Sequence, residues 1–527
     1  MGDDKAKTRT PSLHRKSKLD NKKVENLDAD VEQQVWYHGF RPRRDIEHLL
    51  IEDGDFLVRA TDGRTNNVEL VLSVKTIKPE SGKVVFFNLT IVYVEGKWQL
   101  GIIRKPKNLQ RFSSIATLIE YYKKHKITGH LVLKRAISRP DWLIKHEKVV
   151  YDAKADLLGS GNFCDVYKGI YTKNDEKFTV AVKICHQGQK DKSPEEQREA
   201  REMMLFEAKA MSYFVHRYII RLHGVALDHP PVLIVMEFCP GGSLDKHLER
   251  EKDDIEIGER VCYIMDAARG MRYLHEKGCV HRDLAARNCL ISAEGFLKIA
   301  DFGLSKLIDN GKEKEEGTGE EPSPQIPLRW MAPESLKRPV KFSTASDCWA
   351  FGVLMFEVFN NGGKPFPDFV PRKIATLIRK GSMPEMPEKT PEEIKEVVSK
   401  VWVLNPTERL KMKDICTKVW RALKSYPPPK PEKFAVNRIP GVTRTVTMKE
   451  LGPHETTDDK TDTKESQDNA DTGRTGSSPK PKETVDASQY VKKSTEPAQR
   501  TNMSENSISV RGDKTDVKKV RSKKLCS

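Results

Sequence analysis

The pattern of hydrophobic and polar residues divides the chain into a folded middle and two polar ends. Residues 1–35 and 425–527 are rich in charged residues, Ser and Thr, and they contain few aromatic residues. Such segments cannot bury enough apolar surface to offset the conformational entropy that they would lose on ordering. We therefore predict a disordered basic arm at 1–35, folded domains over 36–424 and a disordered tail at 425–527.

The first folded stretch, residues 36–135, combines strand-like runs with two helical stretches. Apolar runs at 56–58, 70–74 and 84–92, separated by turn residues, predict antiparallel strands. Asp45 is a candidate N-cap for a first helix, and the apolar spacing over 115–122 predicts a second one. The pattern predicts an α+β domain, in which two helices flank a central antiparallel sheet.

A short motif suggests what this first domain binds. Residues 54–59 read Gly-Asp-Phe-Leu-Val-Arg, and in this context they resemble the arginine-bearing strand of an SH2 domain. The resemblance implies that Arg59 binds phosphotyrosine, with Arg43 as its partner and Thr61 as a further donor. A buried arginine can bind phosphate oxygens in a bidentate manner, whereas a surface salt bridge is the alternative role. Phe86 stands where this family usually has a histidine, so the pocket loses one polar wall.

The chemistry of the chain centres on residues 281–288, which read His-Arg-Asp-Leu-Ala-Ala-Arg-Asn and precede an Asp-Phe-Gly at 301–303. This order resembles the catalytic loop of protein kinases. Phosphoryl transfer depends mostly on positioning and charge neutralisation. Asp283 is expected to accept the hydroxyl proton, while Asn288 and Asp301 supply oxygen ligands to Mg²⁺. A lone Asp or Asn usually caps a turn, but eight residues in register favour the catalytic interpretation.

The residues before this loop resemble the nucleotide-binding lobe of a kinase. Residues 158–166 resemble the glycine-rich loop, with Cys164 in place of its third glycine. Lys183 ends a Val-Ala-Val-Lys strand, and Glu207, on a helical stretch, is its expected ion-pair partner. A dinucleotide-binding fold would need a helix straight after the glycines, yet residues 166–171 read as strand.

The resemblance also implies a set of ATP-binding residues, with Met236 as the gatekeeper residue behind the adenine. Three of them, Val166, Ala181 and Leu290, are equally compatible with an ordinary core. The full set is Leu158, Gly159, Ser160, Gly161, Asn162, Phe163, Val166, Ala181, Lys183, Met236, Glu237, Cys239 and Leu290.

Two features favour tyrosine as the phosphate acceptor. Arg287 belongs to an Ala-Ala-Arg sequence where serine/threonine kinases typically carry a lysine, and residues 327–330 resemble the docking segment of tyrosine kinases. We therefore include Arg287 in the catalytic set. The SH2 domain at 36–135, the linker at 136–150 and the bilobal kinase domain at 151–424 together resemble the Fer/Fes group of non-receptor tyrosine kinases, in the compact form of its nematode members.

Two alternatives remain. A catalytically weak scaffold that only reads phosphotyrosine would be expected to lack Lys183, Asp283, Asn288 or Asp301, yet all four are present. A serine/threonine kinase is disfavoured by Arg287 and Pro327. The kinase reading implies ATP and Mg²⁺ as cofactors, phosphotyrosine-containing proteins as SH2 partners and protein tyrosine residues as substrates.

Composition limits the location and the partners of the chain. Its formal charge is +16, and part of this positive excess lies in the polar ends, where no aromatic residues are interleaved with the basic ones. This favours weak attraction to anionic membrane surfaces over specific nucleic-acid binding. None of the nine cysteines forms a Cys-x-x-Cys pair, and there is no signal peptide or apolar run of ~20 residues. We expect a cytoplasmic protein with reduced thiols, peripheral at most at the inner face of the plasma membrane.

The segment between Asp301 and Glu334 contains no tyrosine, although most kinases of this type carry one there. It contains several glutamates instead, and Thr318 lies near the usual tyrosine position. We expect these carboxylates partly to replace a phosphate, so that activity does not require loop autophosphorylation. A simply solvated loop is the alternative. The glutamates are Glu313, Glu315, Glu316, Glu320 and Glu321.

Overall fold

The computed structural model describes residues 30–62, 68–78, 81–101, 110–161, 164–185, 194–307 and 327–445. Most of the predicted basic arm, and residues 446–527 of the predicted tail, lie outside these ranges. The described residues fold into an SH2-like domain followed by a two-lobed domain, which agrees with the predicted α+β fold.

The first domain is built on a five-stranded sheet with the strand order β4-β3-β2-β1-β5. Strands β1 to β4 pair in antiparallel fashion, and β5 joins β1 in parallel. The strands are β1 (Asp55–Asp62), β2 (Val68–Ile77), β3 (Val84–Val94), β4 (Lys97–Gly101) and β5 (Arg135–Ala136). Helix α1 (Ile115–Lys124) begins with a capping box formed by Ser114 and Thr117, and it packs its apolar face on the sheet.

The first predicted helix of this domain is only a short 3₁₀ turn in the structure. A single 3₁₀ turn, Arg43–Asp45, is followed by hydrogen-bonded turns that bury Ile46 and Leu50. Asp45 does not cap the backbone, because its carboxylate binds Lys209 Nζ at 3.1 Å. So short a segment gains too few helical hydrogen bonds to offset the cost of helix nucleation.

The smaller lobe of the second domain has a sheet with the order β6-β11-β12-β10-β9-β7, and β8 pairs with β9. Part of the predicted linker belongs to this sheet, since β6 pairs with β11 in parallel. The strands are β6 (Leu143–Ile144), β7 (Val149–Tyr151), β8 (Leu157–Ser160), β9 (Cys164–Lys173), β10 (Glu176–Cys185), β11 (Leu222–Ala226) and β12 (Leu233–Glu237). One long helix, α2 (Pro194–Met211), packs on this lobe.

The larger lobe is helical, and its core lies between α4 and its neighbours. Its helices are α3 (Leu244–Glu251), α4 (Ile257–Glu276), α5 (Thr344–Phe359), α6 (Pro371–Arg379), α7 (Glu392–Val401) and α8 (Met412–Ser425). Short strand pairs carry the catalytic segments, namely β13 (Cys279–Val280) with β16 (Lys306–Leu307) and β14 (Cys289–Ile291) with β15 (Leu297–Ile299). Helix α5 is buried almost all round, as expected for a central helix. None of the described helices is both long and apolar enough to span a membrane.

Residues 425–445 belong to the described fold, so the predicted start of disorder at residue 425 is wrong. Phe434, Ala435 and Val436 are buried, and the last two donate backbone hydrogen bonds to Glu259 at 2.7 and 2.9 Å. The polar composition of this segment favoured disorder. A few buried residues are nevertheless enough to fix the segment, because Glu259 on α4 accepts its backbone hydrogen bonds.

Candidate active site

An ion pair joins the small-lobe sheet to helix α2. Lys183, on β10, places its Nζ 2.8 and 2.7 Å from the two carboxylate oxygens of Glu207 on α2. Burial by itself lowers the pKa of Lys183, but the carboxylates of Glu207 and Asp301 outweigh it and raise the pKa overall. The predicted partner of Lys183 is therefore in place, and the lysine keeps a positive charge that can face phosphate oxygens.

Helix α5 holds the catalytic loop in place through the side chain of Asp347. Asp347 accepts hydrogen bonds from the backbone N–H groups of His281, at 2.8 Å, and Arg282, at 3.0 Å. Arg282 has a φ of +68°, a conformation that is uncommon for residues other than glycine and that these two bonds support. The buried His281 ring lies 3.2 Å from the carbonyl oxygen of Ala300, which links the loop to the Asp-Phe-Gly segment.

Asp283 is held by the two loop residues that were predicted to accompany it. Asn288 Nδ2 donates to the backbone oxygen of Asp283 at 2.7 Å and to its Oδ2 at 2.8 Å. Arg287 pairs with the other carboxylate oxygen and lies 4.5 Å from the ring centroid of Trp330. Burial raises the pKa of Asp283, and the charge of Arg287 opposes this shift. A carboxylate with a raised pKa binds a proton more readily, as a general base must.

Asn288 and Asp301 lie at the same end of the β14–β15 pair. The N–H of Ala300 donates to the carbonyl oxygen of Asn288 at 2.9 Å, so Asp301 follows directly. Phe302 is fully buried, with its ring centroid 5.6 Å from that of Phe214, which fixes the orientation of this segment.

The donor set at this end suits a hard divalent cation. Asn288 donates through its amide nitrogen, which leaves the amide oxygen as a ligand beside the Asp301 carboxylate. Among the described residues, no group of three or more His, Cys, Asp and Glu side chains could hold a metal ion. Two protein ligands fit a Mg²⁺ ion that takes its other oxygens from substrate phosphates and water.

The predicted adenine-binding residues come from both lobes. Ala181 lies opposite Met236 across the β10–β12 pair, and Val166 lies opposite Lys183 across β9–β10. Leu290, on β14 of the large lobe, forms a bridge with Ser243. Val166, Ala181 and Met236 therefore share the small-lobe sheet, whereas Leu290 belongs to the large lobe.

The rest of the predicted nucleotide site is described in part. Leu158, Gly159 and Ser160 lie on β8, and the N–H of Gly161 donates to the carbonyl oxygen of Cys164 at 2.8 Å. Asn162 and Phe163 lie outside the described residues. After the gatekeeper, Glu237 pairs with Lys298 Nζ at 3.0 Å, and Cys239 is buried.

An ion pair anchors the segment that follows the docking residues 327–330. Arg409 donates to both carboxylate oxygens of Glu334, at 2.6 and 2.7 Å. The glutamate-rich part of the preceding loop, including Thr318, lies outside the described residues.

The predicted phosphotyrosine pocket contains a buried cation. Arg59, on β1, is only 7% exposed, and its Nε has no hydrogen-bond partner in the described part of the chain. Burial and the nearby charge of Arg43 both lower the pKa of Arg59. Arg43 is itself exposed and binds Glu47 at 3.2 Å. Two cations that approach each other at a half-enclosed site favour an anionic ligand.

Phe86 belongs to an apolar cluster next to the strand that carries Arg59. The alternation of β1 places Leu57, Arg59 and Thr61 on the same face of the strand. Phe86, on β3, packs against the cluster that contains Leu57 and Ile46. The aromatic ring thus extends the apolar packing on this face, where a histidine would have added a polar group.

Comparisons with known proteins agree with this geometry. Residues 153–419 match the family model for protein tyrosine and serine/threonine kinases, and residues 36–122 match the SH2 domain model. The chain is 35% identical over 398 residues to human tyrosine-protein kinase Fer, covering 74% of this chain and 44% of Fer. It is 34% identical over 409 residues to Fer-related kinase 1 of Caenorhabditis elegans, covering 75% of this chain and 97% of that relative. The chain belongs to the protein kinase family, within its Fer/Fes group.

A viral relative gives a similar match. The transforming protein Fps of avian sarcoma virus (strain PRCII) is 33% identical over 386 residues, which cover 72% of this chain and 65% of that protein. The chain spans less than half the length of the mammalian Fer proteins that it matches, and nearly the whole of the nematode relative.

Sequence reasoning missed the residues with which the SH2 domain of this Fer/Fes-group chain contacts helix α2. Asp45 binds Lys209 Nζ at 3.1 Å, and Asp62 forms an ion pair with Arg201. Arg201 also lies 5.0 Å from the ring centroid of Phe40. Both cations belong to the helix that carries Glu207. No local motif signals these pairs, because each joins residues more than a hundred positions apart.

A second set of contacts ties the SH2 domain to the turn after β11. The N–H of Phe40 donates to the carbonyl oxygen of Leu227 at 2.9 Å, and Tyr37 Oη donates to that of Asp228 at 2.7 Å. Arg139 pairs with the Asp228 carboxylate at 2.6 Å. Gly39 has a φ of +60°, and a Cβ at this position would lie 2.0 Å from the carbonyl oxygen of Leu227. Only glycine permits this approach.

Proposed function

We propose that the chain is a non-receptor protein tyrosine kinase, which transfers the γ-phosphate of ATP to tyrosine residues of proteins. The observation that carries the proposal is the Lys183–Glu207 pair, with nitrogen–oxygen distances of 2.8 and 2.7 Å, in a chain that also holds Asp283 and Asn288 in one hydrogen-bonded loop. Such a pair is a requirement for an active kinase.

Each residue has a defined task in this reaction. Bound ATP supplies the phosphoryl group, and bound Mg²⁺ neutralises charge on its phosphates. Lys183 places a positive charge beside the phosphate oxygens, while Asn288 and Asp301 offer oxygen ligands to Mg²⁺. Asp283 orients the substrate hydroxyl and accepts its proton, which the raised pKa of its carboxyl favours.

The side chain of Arg287, next to Asp283, supports tyrosine as the phosphate acceptor. Arg287 is fixed between the Asp283 carboxylate and the face of Trp330, which belongs to the docking segment. A planar guanidinium stacked on an aromatic ring presents a flat surface, along which we expect the ring of a substrate tyrosine to approach Asp283. A serine hydroxyl lies closer to the substrate backbone than a phenol does and would not reach the carboxylate as well.

The test is phosphate transfer to a random Glu/Tyr polymer in Mg-ATP, compared with a matched serine and threonine substrate. Asp283→Asn and Lys183→Met should each lower kcat/KM by roughly two orders of magnitude or more, since each removes charge at the reacting centre. Asp175→Asn, in an exposed hairpin turn, and Lys148→Met, also exposed, are the matched controls. Transfer by either active-site variant at the control rate would reject the assignment, and preference for serine would reject the acceptor.

We further propose that the SH2 domain recruits the kinase to proteins that already carry phosphotyrosine. The buried, under-bonded Arg59 supports this role, because a phosphate would supply the missing acceptor. Arg59→Leu in the full chain should abolish binding of phosphotyrosine peptides, measured by titration against their unphosphorylated counterparts. Arg111→Leu, at an exposed ion pair of the same domain, should bind normally. Equal affinities in the two variants would place the pocket elsewhere.

The domain contact suggests that the SH2 domain also braces the helix of Glu207. Its two ion pairs, Asp45–Lys209 and Asp62–Arg201, both end on α2. We further propose that this kinase acts in the cytoplasm. Its formal charge of +16 supports a weak, salt-sensitive attraction to anionic lipids at the inner face of the plasma membrane.

A further inference from the structure

Two cysteines face each other beside the glycine-rich loop. Cys164 is the first residue of β9 and Cys185 is the last residue of β10, and the two are directly opposite in the strand register. Their sulfur atoms are 3.6 Å apart. Directly opposite residues of antiparallel strands have Cα separations within the range that a disulfide bond accepts. The backbone therefore already holds these thiols within reach of each other.

These two thiols differ from the other cysteines of the described chain. Both are half-buried, whereas the remaining six described cysteines are buried. Burial raises the pKa of each of those six, which keeps them in the unreactive thiol form. The six are Cys239, Cys262, Cys279, Cys289, Cys348 and Cys416.

Cys185 has the environment of the reactive partner. A hydrogen bond from Cys164 lowers the pKa of Cys185, and the positive charges of Lys183 and Arg201 lower it further against the effect of burial. The thiolate is the form that reacts with peroxides and disulfides. Cys164, whose sulfur lies 3.6 Å from that of Cys185, is placed to act as the resolving thiol.

We propose that Cys164 and Cys185 form a reversible disulfide on reaction with a hydroperoxide, and that this modification switches off the kinase. The Cys185 thiolate attacks one peroxide oxygen, which forms a sulfenic acid and releases water after protonation when the oxidant is hydrogen peroxide. Cys164 sulfur then attacks the sulfenic sulfur, the S–O bond breaks and a second water leaves. Two electrons pass from the two thiols to one peroxide, so the step is balanced.

The position of the bond explains its effect on the proposed activity, on which this regulatory role rests. Strand alternation puts Cys164 on the face of Val166 and Cys185 on the face of Lys183. A disulfide would draw the end of the glycine-rich loop towards β10, because the sulfurs must approach by roughly 1.5 Å. Such a shift would displace Val166 and Lys183, which belong to the proposed ATP site, and we expect kcat/KM for ATP to fall by about tenfold or more.

The experiment treats the full, reduced chain with graded hydrogen peroxide and blocks residual thiols with an alkylating agent. Peptide mapping without reductant should find one cross-linked pair, containing Cys164 and Cys185, and dithiothreitol should restore both the peptides and the activity. Cys185→Ser and Cys164→Ser should each retain most of their own untreated activity at the dose that inactivates the wild type. Cys526→Ser, outside the described residues, is the matched control and should respond as the wild type does.

Two results would overturn the proposal. One is the absence of the Cys164–Cys185 cross-link at doses that inactivate the enzyme. The other is equal inactivation of the wild type and Cys185→Ser, which would assign the loss of activity to other residues. The mapping does not depend on catalysis. If the reduced protein transferred no phosphate at all, the function proposed above would fail while the cross-link could still be scored.

Discussion

A single buried carboxylate, that of Glu357, connects the catalytic loop to the docking segment. One oxygen of Glu357, on α5, accepts hydrogen bonds from the backbone N–H of Ala286 and from Trp330 Nε1, both at 3.0 Å. Burial raises the pKa of this carboxyl to about 7, although the two hydrogen bonds oppose the shift. Its protonation state therefore changes within the physiological pH range.

The sign of the pH dependence follows from this shift. The folded protein binds the Glu357 proton more tightly than the unfolded chain, whose carboxyl has the ordinary pKa of about 4.3. The stability that the protonated form contributes is complete below that value and is lost as pH rises towards 7. Glu357→Gln keeps an acceptor oxygen for both donors without the charge. We expect it to be more stable than the wild type at pH 8, by on the order of 1–3 kcal/mol, and close to it at pH 4.5.

Thermal unfolding of the full chain at the two pH values measures this difference. Glu388→Gln, at an exposed position, should show no gain that depends on pH. A gain of equal size at pH 4.5 and pH 8 would mean that the charge of Glu357 is not its cause.

At the scale of elements, helix α2 is held from two sides. Glu207 fixes it to β10 through Lys183, and Lys209 and Arg201 fix it to the SH2 domain. Ion pairs that remain partly open to solvent contribute little by themselves. The close backbone contact of Gly39 with Leu227 adds a second connection between the two domains. The catalytic ion pair and the domain contact therefore share one rigid element.

Gly39→Ala should separate the two roles of the SH2 domain. The new methyl group would meet the carbonyl oxygen of Leu227, so the domain contact would loosen and α2 would lose its brace. We expect the rate on the Glu/Tyr polymer to fall by roughly fivefold or more, with phosphopeptide affinity retained. Gly96→Ala is the matched control, because Gly96 also has a positive φ, of +78°, but no atom lies within 4 Å of the added Cβ. Equal rates for the two variants would show that the brace does not affect catalysis.

At the scale of the whole molecule, the segment after α8 closes the large lobe. Arg444 is fully buried, donates to Asp266 Oδ2 at 2.9 Å and to the carbonyl oxygen of Gly295 at 2.8 Å. The aromatic rings of Phe296 and Phe434 lie 5.4 and 5.6 Å from its guanidinium. The segment after α8 is thereby connected to the central helix α4.

Arg444→Met should destabilise the protein strongly. It leaves Asp266 buried without its cation, and breaking a buried pair in this way typically costs about 3–5 kcal/mol. Arg438, in the same segment, is exposed and pairs with Asp254 and Glu251. Arg438→Met should cost about 1 kcal/mol or less. Urea unfolding of the two variants measures the difference. Similar midpoints would show that the segment is not part of the cooperative unit.

The sequence by itself determined the two domains and the catalytic constellation. Asp283, Arg287 and Asn288 lie within one loop, so their chain spacing already places them together, and Lys183 and Arg59 lie on strands with recognisable motifs. Local spacing is preserved in the fold because short loops and strands allow few backbone conformations. Local spacing did not predict the first SH2 helix correctly, because its candidate N-cap, Asp45, binds Lys209 of the other domain instead.

Only the tertiary structure decided the contacts between distant parts of the chain. Arg444 and Asp266 are 178 positions apart, and Gly39 meets Leu227 across two domains. Cys164 and Cys185 become neighbours only through the register of β9 and β10. Such pairs depend on how complete elements pack, and each contributes free energy only after that packing exists. Composition and spacing record the elements, but they do not record which surfaces of those elements meet.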